Sequence, residues 1–76
     1  MKKYFFDIVG QRRAEYDFQG TECCEPQKAL QLAELIALDV EVAAEDEFSG
    51  GRIDVHSPEG HKLFSVPIGE LELIAA

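Results

Sequence analysis

Cations are scarce in this chain of 76 residues: seven Lys and Arg stand against fifteen Asp and Glu, for a net charge of −8. Such a balance repels phosphate backbones and anionic membrane surfaces, so neither nucleic acid nor membrane is expected as a partner. Four of the cations, Lys2, Lys3, Arg12 and Arg13, belong to the first predicted hairpin, but Asp7, Glu15 and Asp17 are interleaved with them. Cysteine is limited to the adjacent Cys23 and Cys24, whose mutual bridge would close a strained ring, so reduced thiols and a cytoplasmic location are expected. No apolar run approaches the roughly 20 residues of a membrane span. Met1-Lys2-Lys3-Tyr4-Phe5-Phe6 begins like a signal peptide, but Asp7 ends the apolar run early and no small-residue cleavage site follows. Also lacking are a Gly-rich phosphate loop after a strand, an HExxH pair and a GxSxG elbow, and with them the usual signs of catalysis. The chain is therefore read as a non-enzyme without a cofactor.

What is present suits one small folded domain over residues 1–76. Apolar residues make up 46% and charged residues 29% of the chain, too apolar a mixture for disorder. Tyr4, Phe6 and Ile8 alternate with Phe5 and Val9, predicting a strand with apolar groups on both faces and hence a central place in a sheet. After a turn at Gly10–Arg13, Ala14, Tyr16 and Phe18 alternate with Glu15 and Asp17, so a hairpin is expected over about 3–18. Gln19-Gly20-Thr21 is expected to lead out of the sheet.

Pro26 suits the first position of a helix predicted over about 26–45, because its missing N–H is not needed there. At 100° per residue, Ala29, Leu32, Ala33, Ile36, Val40, Ala43 and Ala44 form one stripe, the expected core face. Leu35, Leu38 and Val42 lie opposite, beside an acidic line of Glu34, Glu41 and Glu45. Fraying is expected at Glu45-Asp46-Glu47, where acids meet the negative end of the helix dipole. A second hairpin follows over about 52–68, with Ile53 and Val55 on one strand, Phe64, Val66 and Ile68 on the other, and the turn Ser57-Pro58-Glu59-Gly60 between them. Pro67 cannot donate to a ladder, so the last strand is expected to lie at an edge or to end there. The tail 69–76 has no clear period. This order predicts an α+β fold, ββαββ, in which one antiparallel sheet of two hairpins packs on a single helix.

Tyr4-Phe5-Phe6-Asp7-Ile8, the step Asp17-x-x-Gly20-x-Glu22, the helical Ala29 and Ala33, and Gly51-Arg52-Ile53-Asp54-Val55-x-x-x-x-Gly60-x-x-Leu63-x-x-Val66-Pro67 follow one another in a distinctive order. In this the chain resembles a family of short acidic bacterial proteins classed as a domain of unknown function. The resemblance implies no activity, cofactor or catalytic residue. Two features depart from the family pattern: Ser57 stands where members commonly carry Asp or Asn, and the Cys23-Cys24 pair is additional.

Two functional readings come from the residues. The outer helix stripe of Leu35, Leu38 and Val42 predicts an interaction surface, used by a second copy in a homodimer or by another protein; the other reading is that the tail, Leu71 to Ile74, folds back and covers the stripe within one chain. The alternative is a metal- or thiol-dependent site, in which His56 and His61, facing each other across the last turn, join Cys23 and Cys24. That cysteine spacing matches no recognised structural zinc motif, and solvated histidines on a hairpin tip are the simpler account.

Overall fold

A computed structural model describes residues 1–43, 48 and 50–69, with only the backbone described at Ala43. Its elements are β1 (Lys2–Val9), β2 (Ala14–Glu15), β3 (Thr21–Cys23), α1 (Pro26–Ala43), β4 (Arg52–His56) and β5 (Lys62–Pro67). The sheet is antiparallel throughout, with strand order β2-β1-β4-β5 and β3 also pairing β1. This is the expected α+β class, with β1 central and β5 at an edge.

The first hairpin departs from the expectation. Gly10 N–H donates to Arg13 O at 2.7 Å, closing a two-residue loop, but regular pairing stops after Glu15 opposite Ile8. It resumes only at Thr21 opposite Tyr4, so the five residues Tyr16–Gly20 face just three, Phe5–Asp7. Residues 16–18 are thus a loop rather than a strand, and 21–23 return to the sheet rather than leave it. The cause is Asp17, whose side chain bonds nearby backbone N–H groups and outcompetes a period-two pattern of only three apolar residues.

Helix α1 begins at Pro26 because Glu25 O accepts the N–H groups of Lys28 and Ala29, at 3.1 and 3.4 Å. Its inner stripe buries Ala29, Ala33 and Ala37 completely or nearly so, with Leu32, Ile36 and Val40 half-buried beside them. Large side chains come from the other layer: Tyr4, Phe6, Ile53, Val55 and Ile68 are buried, and so is Phe48 in the connection before β4. Small residues on the helix let its backbone approach a sheet that carries bulky ones. The expected stripe position Ala44 and the acidic run 45–47 lie outside the described residues.

Gly51 is buried where β4 starts, and a Cβ there would stand 2.2 Å from Val9 O and 2.9 Å from Phe48 O. Its N–H donates to Phe48 O and its carbonyl accepts from Ile68, joining both ends of the second hairpin. The turn at 57–60 has the expected form: Gly60, at φ 91°, donates to Ser57 O at 2.9 Å. Ser57 does the capping expected of Asp or Asn, its Oγ accepting His61 N–H at 3.1 Å. A bulge follows. Val55 faces Phe64 while His56 faces Lys62, so Leu63 is the extra residue of β5.

Candidate interaction surfaces

The turn corrects the expected histidine pair. His61 sits opposite Ser57, to which its carbonyl is bonded at 2.8 Å, while His56 is opposite Lys62 on one side and Phe5 on the other. With Gly60 in the left-handed region, the turn shifts the register by one residue from the simplest one. Cys23 and Cys24 lie elsewhere, at the end of β3 and just after it, with Cys23 facing Lys2 at the start of β1. The structure therefore does not gather the four residues of the metal- or thiol-dependent alternative. Among the described residues no group of three or more His, Cys, Asp or Glu is placed to hold a metal ion. Both thiols are free; Cys23 is buried and Cys24 exposed. Burial, with a smaller contribution from neighbouring Cys24, pushes the Cys23 thiol above its ordinary pKa, which adds to its lack of access in making it a poor nucleophile.

The basic residues of the first hairpin are also separated. Lys2 and Lys3 open β1 while Arg12 and Arg13 lie past its other end, a strand length of roughly 25–30 Å away. Arg13 pairs with Glu15 at 2.6 Å and lies over the Phe48 ring.

The outer helix face is placed as expected: Leu35, Leu38 and Val42 are 64%, 44% and 80% exposed. Alongside Leu38 runs a concavity of about 370 Å³ between α1 and β5, lined by Glu34, Ala37, Leu38, Glu41, Val66 and Pro67. Glu34 and Glu41 thus stand on the flank nearer β5, to one side of the apolar line. Glu45 lies outside the described residues, as do residues 70–76.

The open face of the sheet carries a polar network that local sequence patterns do not show. Asp7 and Asp54 are directly opposed on β1 and β4, an arrangement that repels unless each carboxylate has its own partners. Asp54 is buried, receives Arg52 Nε on both oxygens at 3.0 and 3.1 Å, and accepts Ser65 Oγ–H at 3.0 Å. Asp7 accepts Asp17 N–H at 2.9 Å and faces His56 Nε2 at 3.2 Å. Asp17 in turn accepts the N–H groups of Phe6, Gln19 and Gly20, at 3.1, 3.1 and 2.9 Å. These two side chains replace the main-chain ladder where five residues face three. Beside them lies a shallow hollow of about 410 Å³, lined by Phe5, Asp7, Tyr16, Asp17, Phe18 and His56.

A family profile described as a domain of unknown function, DUF6894, matches residues 3–69. The chain belongs to the DUF6894 family. The matched span holds the helix and every strand but for Lys2, the first residue of β1, so the family's shared pattern is that of the whole described fold rather than of one site. Within this DUF6894 chain the resembling positions are structural: Asp17 bridges the broken edge, Gly51 admits a close backbone approach, and Gly60 closes the turn. No curated protein and no solved structure matches the chain. No described helix is long and apolar enough to cross a membrane.

Proposed function

We propose that the protein is a non-enzymatic cytoplasmic interaction module that self-associates through the outer face of α1. The observation carrying this reading is the exposure of Leu35, Leu38 and Val42 in one line on the side of the helix turned away from the sheet. Covering each of these side chains fully would contribute roughly 1.5–3 kcal/mol, a large quantity beside the few kcal/mol that so short a chain retains. A twofold contact centred near Leu38 sets equivalent stripes against each other. Glu34 and Glu41, on the flank by β5, would then fall at the rim, where water and salt moderate like-charge repulsion. The free, adjacent thiols suit a reducing compartment. The separation of Lys2 and Lys3 from Arg12 and Arg13 leaves no single basic patch in that hairpin for nucleic acid.

Sedimentation equilibrium tests the proposal. The wild type should be dimeric at about 100 µM, and association should strengthen with added salt as the acidic rim is screened. Leu38→Glu should be a folded monomer, because it brings an unpaired charge into the contact without touching the sheet-facing core. A wild type monomeric at that concentration would overturn self-association.

A further inference from the structure

The hollow on the open face of the sheet lies on the opposite side from the outer helix stripe, and its chemistry differs. Tyr16 and Phe18 are 60% and 88% exposed, on either side of a residue whose carboxylate holds three backbone N–H groups. The loop carrying them is thus fixed by Asp17, which keeps two large rings in water rather than letting them collapse onto the sheet. Phe5, on the adjoining strand, supplies a third ring to the same hollow, and Asp7 and Asp17 supply two carboxylates. Lys3, two residues before Phe5 and on the same face of β1, is directly opposed by Glu22 on β3.

We propose that this hollow binds the guanidinium or ammonium group of an Arg or Lys side chain presented by a basic peptide segment. Aromatic faces attract cations through their quadrupole, and nearby carboxylates add a field of the same sense. Guanidinium planes also stack on aromatic rings and are more weakly hydrated than an ammonium, which makes Arg the better fit. The carboxylates keep their structural bonds and act through charge, so binding needs no rearrangement of the loop. At −8 the whole molecule also attracts cationic segments from a distance. A pre-ordered loop lowers the ordering cost of the contact, and a single side chain in an open hollow should bind in the millimolar range.

The test compares N-acetyl-arginine amide with N-acetyl-citrulline amide, its neutral isostere, by amide shift perturbation in NMR. The arginine compound should perturb Asp17, Phe18 and His56, with citrulline at least about fivefold weaker; Phe18→Ala and Tyr16→Ala should each weaken arginine binding roughly two- to fivefold. Both rings are exposed, so these variants keep the fold, which the unchanged remainder of the spectrum would verify. Leu38→Glu should bind arginine as the wild type does, separating this site from self-association. Equal perturbation by citrulline, indifference to both aromatic substitutions, loss of binding in Leu38→Glu, or no localised perturbation up to about 50 mM would each overturn the proposal.

Discussion

Replacing Asp17 by Ala removes the acceptor for Phe6, Gln19 and Gly20 N–H at one stroke, in the segment where the ladder between β1 and its neighbours is already interrupted. Water can take over at exposed Gln19, whereas the bonds to Phe6 and Gly20 are partly buried. A bond to a charged acceptor is worth roughly 1.5–3 kcal/mol, and two of them, discounted for residual solvent, give a cost of about 2–4 kcal/mol. Total stability for 76 residues is about 4–11 kcal/mol at the usual value per residue. The variant should therefore fold, yet melt roughly 10–25 °C lower. Urea unfolding followed by far-ultraviolet circular dichroism gives the free energy directly. Asp7→Ala should also destabilise, since Asp7 accepts Asp17 N–H and faces His56. Because the two carboxylates support one segment, the double variant should cost less than the sum of the singles. A loss below about 1 kcal/mol for Asp17→Ala, or strict additivity with Asp7→Ala, would refute the view that these side chains stand in for the ladder.

The two glycines of the second hairpin should respond differently to alanine. Gly51→Ala drives a Cβ into Val9 O and Phe48 O and should cost more than about 3 kcal/mol, whereas Gly60→Ala meets open space and should cost only the roughly 1–2 kcal/mol of a left-handed residue, as read from urea midpoints. Ala33→Leu inserts volume at a fully buried position of the inner helix stripe and should destabilise by about 1–3 kcal/mol, while the same change at exposed Gln31 should stay within about 0.5 kcal/mol. Iodoacetamide labelling read by peptide mass mapping should modify Cys24 well before Cys23. Because the Cys23 pKa is raised in the folded state, its thiol stays protonated there after the unfolded one has ionised. The folded chain should thus lose stability as pH climbs through and beyond the ordinary thiol range, and Cys23→Ser should flatten that slope.

Properties that depend on residues near in sequence were legible without a structure. Apolar periodicity identified β1, β4 and β5, Pro26 placed the start of the helix, and Pro58 with Gly60 specified the turn, since each acts through backbone torsions or a local face. The exposure of Leu35, Leu38 and Val42 followed from the same arithmetic, because a helix on one sheet has a far side. Ala37 and Phe48 were missed as core residues: a small side chain at the edge of the stripe and an aromatic in a connecting segment carry no periodic signal. The sequence pattern over 16–20 points to a strand because Tyr16 and Phe18 alternate, while the competing bonds run from Phe6 N–H to the Asp17 carboxylate and from Asp17 N–H to the Asp7 carboxylate, about ten residues away. His56 meeting Asp7, and Asp54 meeting Ser65, needed the pairing of β1 with β4 and of β4 with β5 before either could be seen. The turn, with Gly60 in the left-handed region and Ser57 opposite His61, parted His56 from His61, a register decision made by backbone torsions that the simplest pairing does not include. Local chemistry thus set the elements and their faces, whereas the juxtaposition of carboxylates, imidazole and aromatic rings arose only when strands distant in sequence were brought side by side.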